Sequence, residues 1–317
     1  MDKMRDRIER EVELPGLVSL LAERLTATDL QSLLLEVYRL RAKRRGPTEV
    51  LADYERNRFV RPSAASARRL LEWETIACSQ LPASFELLAL SPVSPLGTCS
   101  AVAAISQDWA VSTARNTEVV SDSTNVLALE CALRRRQLLR QDRRSREPVN
   151  LASSHRLLRA QRYEDPDLLP HFSLFALCSA GRDQGNLRFE LSALALHAGF
   201  YLRALRAFLG EGVGLQLSAT DFSPSPARTA LVESQFLSPV REEFPDVPSA
   251  IDEERQSGRG YYSDLCFHID ALAPSGRPIQ LVDGGSVDWT QTLLSNAKER
   301  LVTSGIGSER VCNSFPT

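Results

Sequence analysis

LASSHRLLRAQRYEDPDLLPHFSLF, residues 151–175, is the stretch on which the fold turns. Its two ends belong to longer runs, VNLASSHRLLRAQ (149–161) and HFSLFALCSA (171–180), each of strand length and each containing apolar side chains. Between them lies RYEDPDLLP, whose charges and prolines interrupt strand pairing. The pattern predicts two buried strands joined by a charged loop over 162–170. Downstream, LRFELSALALHAGFYLRALRAFL (187–209) predicts the longest helix, and GVGLQLSATDF (212–222) a strand. YYSDLCFHIDAL (261–272), IQLVDGG (279–285) and LVTSGIGS (301–308) read as further strands, with a helix around TQTLLSNAKER (290–300). The Ser-, Pro- and Glu-rich stretch 223–257 reads as an insertion or mobile loop.

Upstream, ASARRLLEWETIACSQL (65–81) is an amphipathic helix leading into FELLALSPVSPLG (85–97), a short strand ended by prolines. VAAISQDWAVSTA (102–114) and NTEVVSD (116–122) read as strands, and STNVLALECALRRRQLLR (123–140) as a helix. The first sixty residues are helical: Leu17, Leu20, Leu21 and Leu25 recur at helical spacing, as do Leu30, Leu33, Leu34, Val37 and Leu40. Strands outnumber a simple alternation with helices. An α+β fold with a mostly antiparallel sheet flanked by helices is therefore expected, with an amino-terminal helical extension (1–62) preceding the core (63–317).

Composition excludes several classes. A chain of 317 residues, 43% hydrophobic and 25% charged, buries a full core. Its formal net charge of −2 sets up no global attraction to nucleic acid or an acidic membrane. Lys3, Lys43 and Lys298 are the only lysines among 38 basic residues, a bias read as compositional. The six cysteines are scattered without a C-x-x-C pair, which fits a reducing cytoplasm and argues against a disulfide or zinc framework. No apolar run reaches the roughly 20 residues needed to span a bilayer, and MDKMRDRIEREVEL is no signal peptide. A cytoplasmic protein with no membrane partner is expected.

Six pieces, in order, resemble the catalytic core of class II aminoacyl-tRNA synthetases. They are most similar to histidyl-tRNA synthetase and its paralogue, the regulatory subunit of ATP phosphoribosyltransferase. Residues 65–95 resemble motif 1, a long helix and a strand ending in proline that builds a dimer interface. VVSDSTNVLALECA (119–132) occupies the place of an R-P-[ED]-x-T signature: Asp122 and Thr124 match, while Val120 and Ser121 replace Arg-Pro. Residues 151–175 resemble motif 2. GYYSDLCFHI (260–269) is similar to a YYTGxxFE strand, and GGSVDW (284–289) to GGRYDxL with Ser-Val replacing Arg-Tyr. GIGSERV (305–311) resembles motif 3, whose G-x-E-R opens a terminal helix. The chain stops soon after, and the anticodon-binding domain that follows motif 3 in histidyl-tRNA synthetase is expected to be absent.

The resemblance implies adenylate formation, in which a substrate carboxylate attacks the α-phosphorus of ATP. An arginine held by a strand suits the charge that builds on the phosphate oxygens. Arg159 matches that position, with Gln161 at the adenine edge; a rival register assigns Arg162 and Glu164 instead. Arg310, preceded by Glu309, matches the arginine beside the γ-phosphate. The implied ATP site is thus Arg159, Gln161, Glu309 and Arg310, with Mg2+ accompanying the nucleotide. The implied substrate pocket is Asp122, Thr124, Leu174, Cys178, Tyr261 and Tyr262. Asp122 stands where an ammonium group is received, although S-D-S-T also reads as a helix N-cap. Where histidyl enzymes carry F-x-Q-x-x-x-E, the run from Phe172 offers Leu174 and Cys178, so a small or hydrophobic side chain is expected instead of imidazole.

Other features read as structural. Cys178 equally suits a small core residue, and Gly284 and Gly285 suit close strand packing. Among the histidines only His171, beside the motif 2 loop, has a functional case. The seven arginines between Arg134 and Arg146 suit RNA phosphates or a solvated helix face. Two function classes stay open. One is an ATP-dependent ligase activating a small-molecule carboxylate or amino acid for a protein or RNA acceptor, built as a homodimer and not a complete tRNA synthetase. The other is a non-catalytic paralogue serving as a regulatory or scaffold subunit.

Overall fold

In the computed structural model, residues 2–161, 170–273 and 276–315 are described. The helices α1 (Asp2–Glu11), α2 (Leu17–Ser19), α3 (Ala27–Lys43) and α4 (Pro47–Arg56) come first. Thr26 caps α3 by accepting from the Asp29 amide, and Pro47 opens α4. No described side chain of these four helices is buried. The segment touches the rest of the chain through backbone carbonyls: Asn116 Nδ2 donates to Ala27 O (3.1 Å) and His171 Nε2 to Arg61 O (2.7 Å).

After α5 (Ala67–Gln80) come β1 (Glu86–Leu87), β2 (Val93–Pro95), α6 (Thr98–Val102), β3 (Thr117–Val119) and α7 (Ser123–Gln141). Then follow β4 (Val149–Leu158), β5 (His171–Arg182), α8 (Arg188–Leu209) and β6 (Leu215–Asp221). The segment α9 (Pro226–Val232), α10 (Ser238–Glu243) and β7 (Ser249–Ile251) precedes β8 (Leu265–Leu272), β9 (Pro278–Val287), α11 (Trp289–Leu294), β10 (Glu299–Gly307) and α12 (Ser308–Ser314). Eight strands form one sheet in the order β1-β4-β5-β10-β9-β8-β6-β7. The edge pairs β1·β4 and β6·β7 are parallel and the remaining pairs antiparallel. The expected mostly antiparallel sheet flanked by helices is present.

Strand alternation divides the core into two layers. On β5, Phe175 and Leu177 pack with α5 and α8, while Leu174, Ala176, Cys178 and Ala180 pack with α7. α8 is apolar around much of its circumference because the sheet lies under it and the 232–247 segment over it. Residues 223–257 correct the expectation of a mobile loop. Val232, Phe236, Leu237, Val240, Phe244 and Val247 are buried in that core. Four of them recur every fourth residue, a helical stripe hidden by the polar residues between.

The strand expected over 102–114 is also corrected. Those residues form the end of α6 and a single helical turn over Gln107–Trp109, with only Ser112 bridging to Glu118. The buried Glu118 carboxylate gathers this region, accepting from the amides of Gly97 (2.9 Å) and Cys99 (2.7 Å) around the start of α6 and from Gln107 Nε2 (2.6 Å). An acid at a helix start draws the backbone donors to itself. Among the described residues no helix is long and apolar enough to cross a membrane.

One ion pair ties α7 to β10. Arg135 and Glu299 are both 0% exposed, bonded twice at 2.8 and 3.1 Å, with Arg135 also donating to the carbonyls of Glu147 and Ser145. Removing one partner strands a buried charge. Denaturant unfolding of Arg135→Ala is expected to show a loss of about 3–5 kcal/mol. The double variant Arg135→Met/Glu299→Leu is expected to recover most of it.

Candidate functional site

A cleft of about 1050 Å³ opens on the α7 face of the sheet. Its floor comes from β9 and β10, one wall from the start of α7 and the turn before β8, the other from α12. Gly305 belongs to this floor, and Gly285 lies further along β9. A Cβ at Gly285 would stand 2.5 Å from Leu265 O and 2.6 Å from the Tyr262 ring, so only glycine lets β9 lie against that turn. Gly284 faces the opposite layer, where a Cβ would meet Ser304 Cβ at 2.5 Å. Both glycines serve close strand packing, as the sequence suggested.

Asp122, Thr124, Arg159, Leu174, Tyr261, Tyr262, Glu309 and Arg310 all border this one cleft. They come from five separate stretches of chain. Asp122 is the N-cap of α7: its Oδ1 accepts from the Thr124 amide (2.9 Å) and from Thr124 Oγ1 (2.7 Å). It is thus a cap and a cleft residue at once. Arg159 follows the last residue of β4, its amide still bonded to Pro170 O at 2.7 Å. Its guanidinium donates to Asp122 Oδ2 (2.9 Å) and Ser121 O (2.9 Å) and sits 5.1 Å from the centre of the Phe172 ring.

Tyr261 and Tyr262 lie in the turn that precedes β8, not on the strand itself. They meet edge to face at 5.0 Å, and Tyr261 meets Trp289 likewise at 5.6 Å. Burial, then the neighbouring Asp122 charge, pushes the Tyr261 phenol well up, so it is a neutral hydroxyl near pH 7.

Glu309 borders the cleft with both oxygens engaged: Oε1 by Arg156 at 2.9 Å, Oε2 by the Ser173 amide at 2.7 Å. Arg156 in turn donates to His171 Nδ1 at 2.7 Å, which links Glu309 to the Arg61 carbonyl. Glu309 therefore fastens the start of α12 to β5, and the exposed Arg310 beside it is left facing the cleft.

Two expected members do not join. Cys178 is 0% exposed and absent from the cleft lining, its thiol against Thr124 O and Thr303 Oγ1. It shares a strand face with Leu174, but four residues along a strand is about 13 Å, enough to carry it beneath α7. Gln161 also lies outside the lining. The rival pair Arg162 and Glu164, and most of the charged loop expected to flank the cleft, lie outside the described residues.

Several residues that sequence reasoning passed over complete the site. Arg277, at the approach to β9, borders the cleft and is exposed. Asp283 borders it from β9 and is bonded by Arg255 at 2.8 Å. Removal from water raises the Asp283 carboxyl, and the Arg255 charge opposes that rise. Arg255 also donates to His268 Nδ1 at 3.0 Å. The only signal for Asp283 was its place before the Gly-Gly pair; Arg255 and Arg277 gave none.

No family model matches the chain, and no curated protein does. Solved structures do. An ATP phosphoribosyltransferase regulatory subunit/histidyl-tRNA synthetase from Bacillus halodurans is similar with a TM-score of 0.58 at 12% identity, over 79% of this chain and 80% of that one. The RNA binding domain of threonyl-tRNA synthetase from Cryptosporidium parvum gives 0.57 at 11% identity, over 79% and 64%. Apo histidyl-tRNA synthetase of S. aureus gives 0.54 at 14% identity, over 78% and 64%. The fold is therefore class II synthetase-like, and this chain spans less than two thirds of the latter two.

The placement of Cys178 has a chemical signature. Burial pushes its thiol up to about 12, so almost no thiolate exists at pH 8. Iodoacetamide at that pH is expected to label the exposed Cys78 while leaving Cys178 unmodified until denaturant is added, as read by peptide mass spectrometry.

Proposed function

We propose that this chain binds ATP in the α7-face cleft and activates a small carboxylate as an adenylate. The observation that carries the reading is the convergence of Arg159 and Arg310, far apart in sequence, on one cleft with Asp122 and Thr124. A carboxylate oxygen attacks the α-phosphorus, a new P–O bond forms, and pyrophosphate leaves. Negative charge grows on the phosphate oxygens during that step. Arg310 offers a fork of donors on the α12 side for the terminal phosphates, and Arg159, positioned by Ser121 and Asp122, places its positive charge at the α-phosphate. Leu174 and Phe172 supply the apolar surface for the organic part of a ligand.

The carboxylates bordering the cleft are engaged by arginines, so Mg2+ suits a place on the nucleotide's own phosphates more than a protein cage. Gln161 and Cys178 take no part in this scheme, and Glu309 acts by holding Arg310 in place. The fold similarity to synthetase-like proteins supports a small-molecule ligand and a protein or RNA acceptor. A cytoplasmic homodimer, with the extension 1–62 appended to a 63–317 core, completes the reading. The Leu71 side chain of α5, 64% exposed, lies on the helix that resembles motif 1.

A second reading rests on Arg159 itself. Its charge is already spent on Asp122, as in a protein that keeps the shape of a nucleotide site without turnover. The fold similarity to an ATP phosphoribosyltransferase regulatory subunit fits that reading.

Calorimetric titration with Mg2+·ATP, followed by ATP–pyrophosphate exchange against a panel of carboxylic and amino acids, separates the two. Saturable ATP binding with exchange is expected. Binding without exchange leaves the non-catalytic reading, and no exchange together with no ATP binding removes the catalytic one. Arg310→Ala is expected to weaken ATP about ten- to hundredfold, the loss of a charge-assisted contact worth about 1.5–3 kcal/mol. Sedimentation at micromolar concentration is expected to give a dimer that Leu71→Glu dissociates; a monomeric parent protein would contradict the assembly.

A further inference from the structure

Among the described residues three carboxylates border the cleft, and each already has an arginine. Asp122 pairs with Arg159 (2.9 Å), Asp283 with Arg255 (2.8 Å) and Glu309 with Arg156 (2.9 Å). Two further arginines, Arg277 and Arg310, border the same cleft with no carboxylate partner among the described residues. Among the described residues the pairs sum to no net charge, so these residues present a surplus of positive charge and no acid without an arginine partner.

That distribution bears on the substrate. An α-amino acid brings an ammonium group that sheds its water on binding and needs an anion in return. Asp122 is the acid at the expected place, yet Oδ1 accepts two bonds from Thr124 and Oδ2 is held by Arg159. An ammonium that reached Asp122 would share Oδ2 with the Arg159 guanidinium, so its attraction to the acid is opposed by repulsion from that cation. The nearby Tyr261 hydroxyl is neutral and supplies no compensating charge. Glu309 has both oxygens engaged, and Asp283 is paired with Arg255 through Oδ1.

We propose that the acid bound beside the nucleotide carries no α-amino group: a simple carboxylate with an apolar tail, seated against Leu174 and Phe172. Its carboxylate needs only cations, which the cleft has in excess, and its α-carbon needs no acceptor. This inference rests on the proposed ligase reading and narrows its substrate from carboxylates in general to those lacking an ammonium group.

The test uses the full chain and matched pairs of ligands in calorimetry: phenylalanine with 3-phenylpropionate, leucine with 4-methylpentanoate, and alanine with propionate. Each titration is run with and without Mg2+ and a non-hydrolysable ATP analogue, whose own binding is measured first. In at least one pair the des-amino acid is expected to bind tenfold or more tightly than the amino acid. Amino acids binding as well or better, or no des-amino acid binding at all, overturns the proposal. Failure of the ATP analogue alone removes the nucleotide reading, while the titrations without nucleotide still decide this one. Arg159→Met, which releases Asp122, is expected to swing the preference at least tenfold toward the amino acids. An unchanged preference in a variant whose circular dichroism and melting match the parent contradicts the mechanism.

Discussion

The pairing of β5 with β10 is the constraint on which the rest of the molecule depends. Phe175 lies opposite Ile306 and Leu174 opposite Gly307, which commits alternate residues of both strands to alternate faces. One face takes α5 and α8 and closes into a dry core. The other takes α7 over only part of its area and leaves the cleft beyond its N-terminus. A slip of one residue would exchange Phe175 and Leu177 with Leu174 and Cys178 and remove both layers together. The same register brings α12 off the end of β10 at the mouth of the cleft, which is why Arg310 arrives beside residues from β4 and α7.

Charge in this protein is arranged by pairing. In a chain nearly free of lysine, arginine serves as structural fork (Arg135), as holder of an acid (Arg156, Arg255) and as cleft residue (Arg159, Arg310). The planar guanidinium suits all three uses, because it bonds a carboxylate and backbone carbonyls at the same time. Arg135 does so in the core and Arg159 at the cleft edge. The arginines left over after pairing are therefore the informative ones, and two of them border the cleft.

Much of this was legible in the residues. The β4–β5 hairpin, α7 and α8 announced themselves through periodicity, and the resemblance of the stretches around Asp122, Arg159 and Arg310 to synthetase motifs implied one site. What the sequence concealed is tertiary in origin. The 102–114 segment has strand-like composition but forms a helical turn whose Gln107 side chain bonds the buried Glu118 carboxylate. The 223–257 segment has loop-like composition, yet Val232, Phe236, Val240 and Phe244 bury one stripe against α8. Cys178 shares a strand face with Leu174, and parity alone says nothing of where a helix ends above it. Arg255 and Arg277 sit in connecting stretches with no pattern, so only the folded chain brings Arg277 to the cleft and Arg255 to Asp283.

The most direct test of the central claim, that this cleft is a nucleotide site, is a crystal structure with Mg2+ and a non-hydrolysable ATP analogue. The account predicts nucleotide density on the α7 face of the sheet, with terminal phosphates against Arg310 and the α-phosphate within reach of Arg159. Nucleotide bound elsewhere on the molecule, or an empty cleft at saturating analogue with Arg159 and Arg310 unmoved, would contradict it.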